Sequence, residues 1–313
     1  MMLKEVNLAL GGGGIRGVAH LGVVQCLFDH NYKINGIAGT SAGGLFGALI
    51  AAGYQPKELL PVVDKFFTES GFRPSVWEKS DGLLANTGIK AALEPYLKDK
   101  NIENLPTPFV ASTFSLKLGE EVIISKGDVI QAILSTIALP GVFPSQGELL
   151  LVDGGLADQV PVAPARDLNG STPIVAVVLH HVPQDFSIND VQFPLDTGMY
   201  EPLIKTVSKT SFGDVMRHMV ASIDIVTSQI SELIIQLHKP DVVVKPIVGQ
   251  YGLLQKIDNQ ILFDEGYRAM EAKLETLEKA NSLFSSLARI AKYSRTEHPD
   301  SSATTQDSQE SQE

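Results

Sequence analysis

Three short glycine-rich stretches of the chain contain groups that could take part in catalysis. One is mainly glycine backbone, one carries a serine hydroxyl and one carries an aspartate carboxylate. The sequence is Gly-Gly-Gly-Gly-Ile-Arg-Gly at residues 11–17, Gly-Thr-Ser-Ala-Gly at residues 39–43 and Asp-Gly-Gly at residues 153–155. Attack on an ester needs an exposed hydroxyl nucleophile, a base that accepts its proton, and N–H donors that stabilise the oxyanion. Ser41, Asp153 and the backbone of the glycine run are candidates for these three roles.

Ser41 lies where a predicted strand turns directly into a predicted helix of small residues. A serine at such a turn takes strained backbone geometry, so the residues two before and two after it, here Gly39 and Gly43, must be small. The turn exposes the hydroxyl, and the N-terminus of the next helix favours negative charge beside it. Taken alone, the same pattern is also typical of a tight turn with a capping serine.

The glycine run also has the G-x-G-x-x-G spacing of a dinucleotide-binding loop. That motif needs an acid about 20 residues further on, at the end of the second strand. Here the second predicted strand ends at Ser41 without an acid, and no Gly-Lys-Ser or Gly-Lys-Thr follows for a P-loop. We therefore predict an oxyanion hole formed by the amides of Gly12, Gly13 and Gly14. Arg16 either braces this loop, holds a substrate phosphate or forms a surface salt bridge.

Asp153 follows a four-residue apolar run, so it is predicted to end a strand. Ligands of α/β sheets bind beside the carboxyl ends of strands, which makes Asp153 a candidate base. An aspartate before two glycines, here Gly154 and Gly155, is also typical of a simple turn. Asp158 is a competing base, although its position favours a helix cap or a structural partner.

A Ser-His-Asp triad would also need a histidine, and the chain has seven. His20 falls on the helix predicted after the glycine run, where we expect it to pack or to hydrogen-bond. His180 and His181 end a predicted strand, as a catalytic histidine would. The residues alone therefore leave a triad and a Ser-Asp dyad both open. Cys26 is predicted on an apolar helix face, which favours a core position over a nucleophile.

Strands and helices that alternate along the chain must position these motifs. Strands are predicted at residues 6–10, 34–38, 109–114, 121–125, 149–152, 174–179 and 242–244, and helices at residues 18–30, 42–52, 56–67 and 129–137. Residues 206–238 are predicted to form one long helix or two stacked helices, and residues 263–293 to be largely helical. This order predicts an α/β fold with parallel strands joined by crossovers. Residues 68–85 interrupt the order with glycines and a proline, which predicts a long irregular connection of the kind that forms lids.

Composition limits the classes of partner. The net charge of −11 argues against nucleic acid and against electrostatic docking on anionic lipid, so any membrane contact must be apolar or local. The single cysteine excludes an intramolecular disulfide. The chain lacks an apolar run of ~18 residues and the features of a signal peptide, so we expect a cytoplasmic protein or one peripheral at a membrane. Residues 294–313 are polar and acidic, which predicts a disordered tail.

In their order, the three motifs resemble those of the patatin-like phospholipase family. That family has a G-G-x-R-G oxyanion loop, a G-x-S-x-G elbow and a D-G-G/A motif, which correspond here to residues 12–17, 39–43 and 153–155. The run Ala-Leu-Pro-Gly-Val-Phe-Pro at residues 138–144 is similar to the family's segment before the aspartate. The resemblance covers residues 6–272.

This resemblance implies a three-layer α/β/α sandwich with a mostly parallel central sheet, and a catalytic domain over residues 1–293 followed by the tail. It implies a Ser-Asp dyad of Ser41 and Asp153 that hydrolyses phospholipids or lysophospholipids through an acyl-enzyme, without a cofactor or metal. Ala42 is a further oxyanion donor in this interpretation. The chain departs from the family at the Asp-Gln-Val-Pro run of residues 158–161, where asparagine often precedes x-Pro.

Two other hypotheses remain. The first is a nucleotide-binding module that uses the glycine run. The second is a hydrolase that is silent without an activating protein partner, with residues 68–85 or 206–238 covering its site. The acidic tail resembles export signals of some type IV secretion effectors, which would imply secretion by a non-Sec route, but it is also typical of a solubilising tail.

Overall fold

A computed structural model of the chain describes residues 4–67, 73–74, 84–179, 211–253, 255, 257–282, 285 and 289. The strands in these residues are β1 (Lys4–Leu10), β2 (Tyr32–Thr40), β3 (Arg73–Pro74), β4 (Leu84–Ala85), β5 (Phe109–Ser115), β6 (Glu120–Ile124), β7 (Leu151–Asp153), β8 (Ile174–Val177) and β9 (Val242–Val244). The helices are α1 (Val18–Asp29), α2 (Ala42–Ala51), α3 (Pro56–Phe67), α4 (Thr87–Leu97), α5 (Val129–Thr136), α6 (Val162–Leu168), α7 (Ser211–His238), α8 (Asn259–Glu271) and α9 (Leu274–Ala280).

A central sheet in the described residues has the strand order β6-β5-β2-β1-β8-β9, with β7 also paired to β5. The pairs β1–β2, β1–β8, β2–β5 and β8–β9 are parallel, whereas β6 and β7 run antiparallel to β5. Crossover helices therefore join most neighbouring strands, as the alternating sequence pattern predicts. The expected α/β class with a mostly parallel sheet is confirmed.

Side chains of β1 alternate between two separate core clusters. Leu8 and Leu10 belong to a large cluster with residues of α1, α2 and α8. Ala9, between them, belongs to a second cluster with Ala165 of α6 and Ile234 of α7. Successive side chains of a strand point to opposite faces, so helices cover both faces of the sheet. This arrangement is the three-layer α/β/α sandwich that the resemblance implies.

The structure differs from the sequence prediction at short or proline-containing elements. The sequence pattern predicts neither α4 nor α6, each of which contains a proline that weakens the helical signal. β7 begins at Leu151 because Leu150 has a φ of 49°, outside the extended region. Residues 263–293, predicted to be largely helical, contain the end of α8 and all of α9 where they are described.

Several predicted features lie outside the described residues. They are His180, His181, residues 206–210, most of the connection over residues 68–85, and the tail at residues 294–313. Within that connection, β3 and β4 form an antiparallel pair. Cys26 is buried on α1, as predicted, and burial raises the pKa of its thiol to about 12. None of the described helices has the length and apolar character needed to cross a membrane.

Candidate active site

Three strands bring Ser41 and Asp153 together. One edge of β5 pairs with β6, so the other edge receives both β2 and β7. On that edge Thr40, the last residue of β2, lies opposite Ser112, and Asp153, the last residue of β7, lies opposite Thr113. Because β2 and β7 run towards each other, their carboxyl ends meet. The residue after Thr40 is Ser41.

Ser41 has the strained backbone that the sequence predicts, with φ 53° and ψ −122°. This left-handed conformation is costly for a residue with a side chain and persists only where the surroundings enforce it. The Ser41 N–H donates to Thr136 Oγ1 at 2.9 Å, and Thr136 Oγ1 donates to the Ser112 carbonyl at 2.5 Å. Thr136, on α5, therefore ties the turn to β5. No local sequence pattern indicates this role.

The glycines on either side of Ser41 allow close contact between backbones. A Cβ on Gly39 would overlap the carbonyl of Gly43, and a Cβ on Gly43 would overlap the carbonyl of Leu10 in β1. The turn therefore packs against the strand that leads into the glycine run. These contacts explain why both positions need the smallest residue.

Asp153 is buried, and its Oδ1 accepts a hydrogen bond from the Gly155 N–H at 2.9 Å. Burial raises the pKa of Asp153 to about 6, against the opposing effects of the nearby Ser41 hydroxyl and of the Gly155 N–H. The carboxylate is therefore ionised at neutral pH, yet basic enough to accept a proton from a reacting group.

No described histidine contacts either residue. His20 Nε2 lies 2.8 Å from the Gly11 carbonyl, and burial lowers the pKa of His20 to about 4. Its ring is neutral at pH 7, and since a carbonyl only accepts, Nε2 carries the hydrogen. His20 thus holds the start of the glycine run, in line with the predicted hydrogen-bonding role. His180 and His181 lie outside the described residues.

The glycine run lies against Ser41, but its amides are not equivalent. A Cβ on Gly12 would come within 3.0 Å of Ser41 Cβ. The Gly12 N–H, however, already donates to the Gln159 carbonyl at 3.1 Å. Gly13 and Gly14 donate no backbone hydrogen bond within the described part of the chain. Of the three predicted oxyanion donors, the Gly12 N–H is therefore bonded to another described residue, whereas those of Gly13 and Gly14 are not.

Arg16 stabilises the glycine run by linking it to Tyr251 and to Asp224 on α7. Its side chain is buried, donates from Nε to the Tyr251 carbonyl at 2.6 Å, and forms two hydrogen bonds of 3.2 and 3.1 Å with the Asp224 carboxylate on α7. The adjacent Ile15 N–H donates to the Leu253 carbonyl at 2.7 Å. Of the three roles proposed for Arg16, these contacts favour stabilisation of the glycine run. The salt bridge is buried rather than at the surface.

Arg16→Lys is expected to lower kcat about tenfold and the free energy of unfolding by roughly 2 kcal/mol. Lysine keeps the charge but cannot reach both oxygens of Asp224 and the Tyr251 carbonyl, so the glycine run loosens. Ester hydrolysis and thermal unfolding measure the two effects. Arg268→Lys is the control because its pair with Glu265 is exposed on the surface of α8. Equal effects of the two substitutions would contradict the bracing role.

Gln159 is a site residue whose only sequence signal is the departure from the family pattern at residues 158–161. Its buried side chain lies between the glycine run and the Asp-Gly-Gly motif. A Cβ on Gly12 would lie 2.7 Å from Gln159 Nε2, and a Cβ on Gly155 would overlap Gln159 Oε1. The neighbouring Asp158 accepts from Val160 N–H at 3.2 Å. Burial, with a smaller effect of Glu121, raises its pKa to about 7. The Asp158 carbonyl accepts from the Thr40 hydroxyl at 2.8 Å, and no hydrogen bond joins Asp158 to Ser41, which fits the predicted structural role.

The α/β sheet, the strained serine turn and the buried carboxylate at the meeting strand end together are typical of serine hydrolases. The sequence profile of the patatin-like phospholipase family matches residues 8–166, about half of the chain, and these residues include all three motifs. The chain belongs to the patatin-like phospholipase family.

Relatives and a solved structure were found in two further comparisons. An uncharacterised NTE family protein of Mycobacterium tuberculosis is 35% identical over 183 residues, which cover 54% of this chain and 48% of that protein. The lysophospholipase NTE1 of Cryptococcus neoformans is 29% identical over 187 residues, 56% of this chain and 11% of that protein. The chain therefore matches about half the length of the mycobacterial relative. VipD of Legionella pneumophila aligns with a TM-score of 0.43 and 12% identity, over 88% of this chain and 67% of VipD.

Proposed function

We propose that this protein is a serine hydrolase that cleaves acyl esters of phospholipids or lysophospholipids with Ser41 as nucleophile and Asp153 as base. The observation that carries the proposal is the meeting of the carboxyl ends of β2 and β7 on β5, which brings Ser41, held at φ 53°, beside the buried Asp153. Membership of the patatin-like phospholipase family and the similarity to a lysophospholipase support a lipid substrate.

In the first half of the reaction, Asp153 accepts the hydroxyl proton while Ser41 Oγ attacks the ester carbonyl carbon. The tetrahedral intermediate collapses as Asp153 returns this proton to the leaving alcohol oxygen, which leaves an acyl ester on Ser41. Water then attacks the acyl carbon, Asp153 takes its proton and passes it to Ser41 Oγ, and the fatty acid leaves. The pKa of about 6 for Asp153 suits both proton transfers near neutral pH.

The oxyanion of each intermediate lies between the glycine run and the start of α2. Gly13 and Gly14 supply N–H donors, because Gly12 is bonded to Gln159. The Ala42 N–H begins helix α2, whose N-terminus favours negative charge. Loss of one such donor in other hydrolases lowers turnover by roughly 10²- to 10³-fold.

We also propose that residues 1–293 form one catalytic domain, with residues 294–313 as a tail. One hydrophobic cluster of the described residues extends from Val6 in β1 to Leu277 in α9, which supports a shared core. The proposed location is the cytoplasm or a membrane surface.

A fluorophosphonate probe tests the proposed nucleophile directly. Such a probe is attacked by an activated serine hydroxyl, loses fluoride and remains bound to the oxygen. We expect mass spectrometry to find the adduct on Ser41, and the unlabelled protein to release fatty acid from lysophosphatidylcholine or phosphatidylcholine. An adduct on another serine, or no adduct and no fatty acid, would refute the proposal.

A further inference from the structure

Three leucines in two adjacent turns, one after β5 and one before β7, have side chains about half exposed to solvent. Leu116 is 52% exposed, Leu118 54% and Leu150 46%. Leu116 and Leu118 lie in the turn from β5 to β6, and Leu150 lies just before β7. The Leu116 N–H donates to the Leu150 carbonyl at 3.2 Å, so the two turns are adjacent. We call Leu116, Lys117, Leu118 and Leu150 the leucine tip.

Buried polar contacts fix the shape of the leucine tip. The buried Ser115 hydroxyl donates to the Leu149 carbonyl at 2.8 Å and accepts from the Leu118 N–H at 3.1 Å. One side chain thereby holds both turns. Leu150 has a φ of 49°, which is costly for leucine. The protein thus holds an apolar side chain in an unfavourable backbone conformation without burying it.

The leucine tip lies beyond the proposed catalytic residues on the same strand. Asp153 lies opposite Thr113 of β5, and Leu151 lies opposite Ser115. The tip begins at the next residue, Leu116. A strand rises about 3.3 Å per residue, so the tip is roughly 10 Å further along β5 than Asp153. Both lie at the carboxyl end of β5, where Ser41 is partly exposed.

We propose that the leucine tip docks the protein on the surface of a lipid bilayer or micelle, with the leucines inserted at the boundary of head groups and acyl chains. Lys117, the one charged residue within the tip, extends its ammonium towards head-group phosphates. This docking places Ser41 about 10 Å above the inserted side chains, within reach of an ester at the surface. The inference rests on the proposed function for its choice of lipid.

A lipid surface fits the leucine tip better than a protein partner does. A stable protein interface buries about 800 Å² on each side, far more than three leucines on two adjacent turns provide. Apolar insertion, rather than net charge, must drive the contact, because the chain is acidic and Glu120 and Glu148 flank the tip. Vesicles of zwitterionic phosphatidylcholine should therefore suffice for binding.

Co-sedimentation with phosphatidylcholine vesicles tests the docking in the full chain with Ser41→Ala, which prevents hydrolysis. The tip variant combines Leu116→Gln, Leu118→Gln and Leu150→Asn, since asparagine tolerates positive φ. We expect the tip variant to bind vesicles at least 10-fold more weakly. The matched control is Leu233→Gln with Leu237→Gln on α7, which are 64% and 74% exposed and should bind like the parent. Equal binding by the tip variant, or equal loss in the control, would overturn the inference.

Activity separates docking from catalysis. With Ser41 intact, the tip variant should hydrolyse soluble p-nitrophenyl butyrate at the parental rate but vesicle phospholipid at least 10-fold more slowly. If no ester is hydrolysed while the binding difference remains, the proposed function fails and the docking stands. If the tip variant hydrolyses vesicle phospholipid at the parental rate, the docking fails and the proposed function stands.

A second variant gives a positive signal without disrupting the tip. Leu118→Trp should show a blue-shifted emission with vesicles, and lipids with a quencher in the acyl chain should quench it. The parent protein, with its single tryptophan, provides the background. If vesicles leave the tryptophan emission of Leu118→Trp unchanged and the acyl-chain quencher has no effect, lipid docking is refuted. It is also refuted if the tip variant differs from the parent only in its oligomeric state, which would make the leucine tip a protein interface.

Discussion

Replacing Ser41 by alanine is expected to lower kcat for lysophospholipid and for p-nitrophenyl esters by about 10⁴-fold or more. Removal of Oγ leaves the site without a nucleophile, and the remaining amides can only polarise the carbonyl for attack by water. The fluorophosphonate adduct should disappear in the same variant. Far-UV circular dichroism should be unchanged, because Cβ and the strained backbone of the turn are retained.

Ser135→Ala is a suitable control for Ser41→Ala. Ser135 lies next to Thr136 on α5 and is buried, but its hydroxyl donates only to the Gln131 carbonyl at 2.8 Å within its own helix. Its loss should change kcat less than twofold and the free energy of unfolding by about 1 kcal/mol. Hydrolysis by Ser41→Ala at the rate of this control would show that another group attacks the ester.

Local patterns are sufficient to predict the elements that position Ser41. The apolar run of β1, the small residues of α2 and the glycines at positions 39 and 43 each act within a few residues, so their spacing indicates the strand-to-helix turn. The φ of 53° at Ser41 agrees with that prediction. The same holds for α1, predicted from apolar residues at helical spacing and found at Val18–Asp29.

Contacts between distant residues are not predictable from such patterns. Thr136 lies 95 residues from Ser41 in the sequence, and Asp224 lies 208 residues from Arg16. Neither has a local signature, because a hydrogen bond across the fold leaves no periodicity in the chain. The bond from Gly12 to Gln159 is of the same kind, and the glycine spacing that predicts an oxyanion role for Gly12 does not indicate it.

Replacing Asp153 by asparagine is expected to abolish activity and to stabilise the protein at alkaline pH. Asparagine can accept the bond from Gly155 but cannot take the Ser41 proton, so kcat should fall about 10⁴-fold. In the wild type, kcat/KM should rise with pH through about 6 as Asp153 ionises. Retained activity in Asp153→Asn would point to another base, first of all His180 or His181.

The stability difference follows from the raised pKa of Asp153. Its pKa is about 6 in the folded protein and about 3.9 in an unfolded chain, so between these values the folded state binds more protons. This group therefore lowers stability as pH rises from about 4 to 6, and the buried carboxylate costs on the order of 3 kcal/mol above pH 7. Asp153→Asn removes that cost, so its melting temperature should exceed that of the wild type at pH 8 and converge with it near pH 4.

Asp158→Asn separates this stability effect from catalysis. Asp158 is also buried with a raised pKa, about 7, and asparagine can still accept from the Val160 N–H. This variant should gain stability at pH 8 as Asp153→Asn does, but it should keep its activity because no hydrogen bond joins the Asp158 carboxylate to Ser41. If both variants gain stability at pH 8 but only Asp153→Asn loses activity, the loss is due to removal of the base at Asp153. Burial of a carboxylate would not explain it, because Asp158 is buried as well. Destabilisation of Asp153→Asn at pH 8 would instead mean that the carboxylate stabilises the folded site.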